Sequence, residues 1–470
     1  MTDPFQQRSE TFLHWLRNSG ADISPKIELV DLRQIHAGRG VVAISEIAED
    51  ELLFRIPRSS VLSVENSALP RLLPAVFEEL DPWLSLILVM IYEWCQGEKS
   101  SWKPYFDVLP SEFNTLMFWS EDELNELQAS AVRYKIGKEG ADEMFKEKIF
   151  PVVRQNAGIF GGEAAATAKE RDVVALAHRM GSTIMAYAFD IEPANQSKEA
   201  DEEGYVSEEE DEALPKGMVP LADMLNADAD RNNARLFYEE NYLSMKAISP
   251  IQAGEEIFND YGPLPRSDLL RRYGYITDNY VKYDVVEISL DMVREAAAKH
   301  AHISSSIIED RLEYLDDQGL IDTGYDITAS DNFDVFEDIS PELLVLIETL
   351  LLPQPEFERL KAKGKLPKPS NLSMKGAQLL HFLVKARTAQ FATSLQQDQS
   401  EPISLPASGP SVVKARRYAM AKLVRIGEKA ILRQADIALA NLINKLSSSS
   451  NDLKRERSPQ EESSKKRRMA

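Results

Sequence analysis

Short apolar runs bounded by turn residues occur in two blocks, and a long stretch with a different period lies between them. VVAI at 41–44 and ELLFRI at 51–56 form the first block, the second run ending at Pro57. RLFYE at 235–239 and YLSMKAI at 242–248 flank Glu240-Asn241, the pattern of a hairpin with a tight turn. PIQAGEEI follows, with a turn at Ala253-Gly254, then IFNDYG at 257–262 and the helical SDLLRRYGYI at 267–276. Between the blocks, from Trp83 to about Phe189, apolar residues recur at three and four spacing, as in LSLILVMIYEW at 84–94 and VVALAHRMGSTIMAYAF at 173–189. The chain therefore reads as α+β, a β portion divided by a helical insertion. From about 285 onward it reads as helical. The run 412–446 is the clearest case, with Val413, Met420, Leu423, Ile431, Ile437, Leu442 and Leu446 near helical spacing and Gly427 as a break between two helices.

A chain of 470 residues is too long for one compact core, and 43% hydrophobic content supplies more than one. Its formal net charge of −22 excludes a general nucleic-acid binder, which needs a basic face. The charge suits a basic protein partner, and equally it suits simple solubility. One cysteine, Cys95, excludes an intramolecular disulfide and a cysteine-based zinc cluster, and its apolar surroundings predict burial. Six histidines are scattered; His300 and His302 are close but lack a third ligand at metal spacing, so surface positions and no metal are expected. The N-terminal residues carry no apolar signal stretch. The longest apolar run falls short of the roughly 20 residues that a membrane span needs. A soluble, intracellular protein is expected.

Residues 198–212 hold nine acidic side chains against one lysine and are predicted to be a disordered loop at about 196–215. The end, 448–470, is predicted to be a disordered tail with basic clusters at Lys454-Arg455 and Lys465 to Arg468. Such clusters read as nuclear import signals or as a solvated tail.

Three segments, AGRGVVA at 37–43, ADMLNADAD at 222–230 and GEEIFNDYG at 254–262, resemble in order the signature segments of a SET domain. QGEKSSWKPYFDVLP at 96–110 resembles the helical insertion of the Rubisco large-subunit methyltransferase class. Within that class, VPLADMLNADADRNNARLFYE is most similar to the fungal ribosomal-protein lysine methyltransferase 4 group. The helical spacing of ETFLHWLR at 10–17 predicts an N-terminal helix within 1–20, and the resemblance implies a SET domain over 21–280 with its helical insertion at about 75–195. It implies a pseudoknot that threads the DYG segment under a loop, and an all-helical substrate-binding domain over 285–447. It implies transfer of a methyl group from S-adenosylmethionine to a lysine of a basic protein, with a large-subunit ribosomal protein first. No nucleic acid, membrane or metal enters the reaction, and a monomer in the nucleus, also the cytoplasm, is expected.

The acceptor amine must be neutral to attack. For an ordinary lysine at pH 7 that costs about 4.6 kcal/mol, which a desolvated channel and a nearby sulfonium reduce. Transfer is an in-line displacement, so positioning supplies much of the rate. The resemblance assigns Ala37, Gly38 and Arg39 to the donor's amino-acid end, with Gly38 and Gly40 allowing close backbone approach; alone, GRG reads as a turn. Asn226 matches the asparagine of the family's Asn-His pair, and Ala227 stands where the histidine is usual. Asp223 is placed beside the substrate and is expected to cap or brace its segment rather than to act as a base. Tyr261 matches the catalytic tyrosine, aligning amine and donor. Tyr187 and Tyr273 match positions near the donor or the lysine channel, with core packing as the alternative, and Trp102 faces the substrate or packs. Two other readings remain: a catalytically silent SET scaffold, which Ala227 favours and Tyr261 opposes, and an acidic chaperone for basic proteins, which leaves the ordered segments unexplained.

Overall fold

The computed structural model describes residues 3–35, 37–192, 214–402 and 411–466, with side chains described as far as Ser448. The acidic run 198–212 lies outside the described residues. The chain divides into two units: residues 1–118, 136–263 and 269–275 form the first, and 119–135, 264–268 and 276–470 the second.

The first unit opens with α1 (Pro4–Asn18), whose N-cap Asp3 accepts the Phe5 N–H at 3.0 Å with Pro4 at the first helical position. Short strands follow: β1 (Asp22–Ile23), β2 (Ile27–Asp31), β3 (Arg39–Ala43), β4 (Leu52–Pro57) and β5 (Leu62–Ser63). Then come the insertion helices, of which α2 (Pro82–Gln96), α3 (Lys103–Phe106) and α4 (Glu170–Tyr187) border the site. α2 starts at the N-cap Asp81 and stops at Gly97, whose φ of 53° suits a residue without Cβ. β6 (Ala188–Asp190), β7 (Lys216–Met218), β8 (Ala234–Tyr238), β9 (Tyr242–Ala247) and β10 (Glu256–Ile257) complete the unit.

Three small antiparallel sheets result, in the orders β1-β4-β9-β8, β10-β3-β2 and β5-β7-β6. Each joins strands from before the insertion to strands from after it. β8 and β9 pair as the expected hairpin, with Tyr238 opposite Leu243. One core holds the sheets and the insertion together, with Phe54, Leu88, Val41, Leu243 and Ile257 inaccessible or nearly so. The segment after β10 is threaded between two others. The Asn259 N–H donates to the Asn226 carbonyl at 2.8 Å, making a parallel bridge opposite Ala227. On the other side the Phe258 N–H donates to Asn233 Oδ1 at 2.8 Å. This is the pseudoknot, and it delivers Tyr261 to the loop that carries Asn226.

Four sequence expectations need correction in the second unit. It is helical except for one antiparallel pair, β11 (Val285–Ser289) with β12 (Gly324–Thr328). Both are short, alternate buried and exposed residues, and are separated by helices, so no turn advertises the pairing. Gly427 does not break a helix. It lies inside the helix Ser411–Lys466, which also continues through the segment read as a disordered tail. Lysine, arginine and glutamate are good helix formers, and extending an existing helix needs no new nucleus. The buried face of that helix also differs from the expected stripe: Val413 and Ile437 are half-exposed, whereas Ala421, Val424, Leu432 and Leu439 are buried. Buried with them are Arg425 and Lys429, both paired with Asp398, Lys429 at 2.6 Å.

Gly427 serves close approach. A Cβ there would lie 2.1 Å from Asp284 Oδ2 and 2.7 Å from Arg266 Nη2, the members of a buried ion pair. Gly427→Ala should therefore lower stability by about 1–3 kcal/mol in urea titration. Gly140→Ala, on a helix with open space at the new methyl, should leave stability unchanged or raise it by up to about 1 kcal/mol. Equal responses would contradict the close-approach account.

Candidate active site

β3 and the turn before it form one wall of the site. Gly38 takes the left-handed φ of 67° and has no atom within 4 Å of a Cβ position, so its backbone faces open space. Gly40 is different: a Cβ there would lie 2.4 Å from Leu32 Cδ1 and 2.7 Å from Glu256 Oε1. The second glycine of GRG is thus needed for packing, and the first leaves room for a ligand. Between them, Arg39 turns its guanidinium back toward α1. It donates to Ser9 Oγ at 3.0 Å and to the Val108 carbonyl at 2.9 Å, and it lies 3.8 Å over the Phe5 ring. Burial and the neighbouring Arg33 and Arg8 charges bring its pKa down to about 10.

A cavity of about 350 Å³ opens here, lined by Phe5, Arg8, Ala37, Gly38, Asp223 and Asn226 among others. Its volume lies in the small-molecule range of roughly 300–1,000 Å³. Asn226 Nδ2 donates to the Arg39 carbonyl at 3.2 Å and to Glu256 Oε1 at 2.7 Å, tying the loop to β3 and β10. Ala227 contributes its backbone bridge to Asn259 and does not line the cavity.

A second cavity of about 390 Å³ is lined by Ala222, Tyr238, Asn259, Asp260 and Tyr273 among others. The two cavities share four residues: Tyr187, Asp223, Leu225 and Tyr261. Tyr187 comes from the end of α4, and burial pushes its hydroxyl up to about 12. Tyr261 stacks on Tyr273 with centroids 4.1 Å apart and planes within 6°.

Asp223 stands at the junction. It is 8% exposed, and its Oδ2 accepts a hydrogen bond from the hydroxyl of Tyr105 on α3. Its Oδ1 has no hydrogen-bond partner among the described residues. Burial drives the carboxyl up to about 7, and the Tyr105 hydroxyl offsets part of that rise. The preceding Leu221 holds a φ of 74°, a conformation costly for a branched side chain. Asp223 caps no helix, and the backbone at Leu221 and at Asp223 itself also lowers the carboxyl's pKa, as a residue bracing its own segment would have it.

Trp102 does not reach either cavity. It is 6% exposed and its indole N–H donates to the Ser60 carbonyl at 3.0 Å, so packing is its role. Tyr273 lines the second cavity and not the first. Cys95 is half-buried against the core, and His300 is an exposed ring stacked on Phe382 at 4.1 Å. Phe5 and Arg8 are at the site without a motif to mark them, and Tyr105 and Glu256 lie inside the segments 96–110 and 254–262 without being singled out there. Pro4 behind Asp3 signals the helix that carries the first two, but nothing local says where that helix docks.

The residues present fit S-adenosylmethionine. Gly38 leaves space, and Arg8 and Arg39 offer positive charge to a carboxylate. Residues 38–262 match the SET domain family, and residues 302–432 match the Rubisco LSMT substrate-binding family. The chain is 38% identical over 365 residues to ribosomal lysine N-methyltransferase 4 of Saccharomyces cerevisiae, covering 74% of this chain and 72% of that one. It is 28% identical over 481 residues to human N-lysine methyltransferase SETD6, covering 90% and 94%. The fold matches Rubisco LSMT bound to AdoMet with a TM-score of 0.66 and 22% identity, covering 95% and 94%.

Because the folded carboxyl of Asp223 is raised, its burial lowers stability above the folded pKa, and this cost vanishes as pH falls below the unfolded value near 3.8. Asp223→Asn should therefore stabilise the protein at pH 8, by at most about 4 kcal/mol, and far less at pH 5. Chemical denaturation of both proteins at the two pH values checks this; a pH-independent difference would contradict it.

Proposed function

Since the chain belongs to the SET-domain protein-lysine N-methyltransferases and uses S-adenosylmethionine, we propose that its acceptor is a lysine of a basic large-subunit ribosomal protein, entering through the second cavity to meet the donor held in the first. The observation that carries this reading is the junction of the two cavities at Tyr187, Asp223, Leu225 and Tyr261. The acceptor class is supported by the yeast relative's ribosomal activity over 74% of this chain and by the complementary charge of −22.

The bound donor supplies an electrophilic methyl group on a sulfonium sulfur. Gly38 lets the backbone approach the donor's amino-acid end, and Arg8 and Arg39 give its carboxylate a positive field. Tyr261, backed by the stacked Tyr273, walls the transfer point and aligns the amine. Alignment is where much of the rate originates, because transfer of the methyl group is an in-line displacement by the neutral amine. Tyr187 and Tyr273 present ring faces that tolerate an alkylated ammonium. The silent-scaffold alternative loses its motive: Ala227 engages the fold through its backbone, so an imidazole is not needed for that bridge.

Incubation with methyl-labelled donor and proteins of the large ribosomal subunit should label one band. Tyr261→Phe should reduce that label by about 100-fold. Equal labelling by both proteins would remove Tyr261 from its role, and label confined to non-ribosomal proteins would overturn the acceptor. Nuclear import through the basic clusters at 454–455 and 465–468 is a further part of the proposal. Changing those residues to alanine should shift a fluorescent fusion to the cytoplasm, and an unchanged distribution would contradict it.

A further inference from the structure

We propose that Arg39 is a positioning residue of the donor site: through its side chain and its carbonyl it ties together the segments that wall the first cavity, and it sets donor affinity by holding that shape rather than by a bond to the donor. The proposal rests on the reading of the first cavity as the place where the donor is held.

Four segments line that cavity. They are the start of α1 with Phe5 and Arg8, the turn into β3 at 37–39, the stretch 107–111 after α3, and the loop 223–226. They lie far apart in the sequence, and Arg39, in the second of them, is bonded to the other three. Its Nε donates to Ser9 Oγ on α1 at 3.0 Å, and its Nη1 donates to the Val108 carbonyl at 2.9 Å. Its own carbonyl accepts a hydrogen bond from Asn226 Nδ2 at 3.2 Å. The guanidinium also rests 3.8 Å over the Phe5 ring.

α1 needs such a tie at one end. In its second half Phe12 and Leu16 are inaccessible within the core, and Trp15 stacks on Tyr105. Its first two turns lack that anchorage: Pro4, Gln7, Arg8 and Glu10 are exposed. The buried residue there is Ser9, 3% exposed, whose hydroxyl donates to the Phe5 carbonyl at 3.1 Å and accepts from Arg39. A second fastening comes from Arg33, which lies 4.0 Å over the same Phe5 ring and pairs with Asp31 at 2.7 Å and with the N-cap Asp3.

The chemistry of the group suits a tie. A guanidinium carries five N–H donors in one rigid plane, so it bridges acceptors that a lysine ammonium cannot reach together. Arg39 spends that plane on the fold, with a hydroxyl on one side and a carbonyl on the other. It has no carboxylate hydrogen-bonded to it among the described residues, and the charges of Arg33 and Arg8 crowd it. A partly buried cation in that position is costly, and bonds to neutral acceptors offset only part of the cost. A donor carboxylate arriving at this end of the cavity relieves the crowding, so donor binding and the docking of α1 support one another.

Affinity is measured by calorimetry with two ligands: S-adenosylhomocysteine, and 5′-methylthioadenosine, which lacks the amino-acid end and its carboxylate. Arg39→Lys keeps the charge and loses the fork, so it should weaken both ligands by about 10- to 100-fold, as should Arg39→Gln. Ser9 is not among the residues that line the cavity, yet Ser9→Ala should weaken both by about 10-fold, because it removes one end of the tie. The two changes should not add: Ser9→Ala placed on Arg39→Lys should cost less than about a further 2-fold. In turnover the donor KM should rise by the same factors, with kcat at saturating donor within about 2-fold of wild type. A role in stability alone would lower the unfolding midpoint and leave the donor affinity of the folded protein at the wild-type value.

Wild-type affinity in Ser9→Ala overturns the proposal. So does a loss confined to S-adenosylhomocysteine and restored by Arg39→Lys, which would make Arg39 a direct ligand of the carboxylate. Ala37→Trp, which fills the first cavity, tests the reading beneath. If Ala37→Trp binds both ligands as the wild type does, the donor site lies elsewhere and reading and proposal fall together. If Ala37→Trp loses binding while Arg39→Lys and Ser9→Ala keep it, the proposal falls alone. Should Arg39→Lys fail to fold, Ser9→Ala, which removes a single hydroxyl, still decides.

Discussion

The carboxyl of Asp223 accepts the Tyr105 hydroxyl on one oxygen and is buried without a counter-charge among the described residues, and the packing of the first unit holds it there. A buried carboxylate without a counter-charge is costly, so the fold must supply stability elsewhere. It does so through one core that includes α2, the strand pairs and the aromatic stack of Phe12, Trp15 and Tyr105. The strained Leu221 just before Asp223 belongs to the same local cost. The binding surface is therefore set by rigid packing and not by a loop that must order when substrate arrives.

The pseudoknot accounts for the rest of the geometry. The segment 256–260 is hydrogen-bonded to Asn226 and Asp228 on one side and to Asn233 on the other, so Tyr261 emerges beside Asp223. Gly40 is required at the crossing because Leu32, Glu256 and Asn226 all crowd its missing side chain. In the second unit, buried charge is handled differently. Asp398 meets Arg425 and Lys429 directly, and Gly427 yields its side-chain volume to the Arg266–Asp284 pair. Charges there are buried in pairs, whereas Asp223 in the first unit is buried beside a tyrosine hydroxyl.

Much of this could be read from residues in a row. Short apolar runs bounded by turns located β3, β4, β8 and β9, three-four spacing located α2 and α4, and the resemblance of AGRG, DMLN and NDYG located segments around the cavities. What stayed hidden depends on contacts between distant residues. Nothing in PFQQRSE says that Phe5 and Arg8 reach Arg39, and nothing in WKPYF separates Tyr105, which anchors the site, from Trp102, which binds a core carbonyl. The β11–β12 pair was missed because helices separate its partners. Gly427 was misread because a glycine in a helix can mark either a break or a close neighbour, and only the neighbour's position decides.

The most direct measurement is a crystal structure of the protein with S-adenosylhomocysteine and a methyllysine-bearing acceptor bound. The account predicts the donor product beside Gly38 and Arg39 and the lysine in the cavity walled by Tyr261 and Tyr273, its nitrogen at the residues the two cavities share. A lysine that enters by another face, or a donor product away from Gly38, would contradict it.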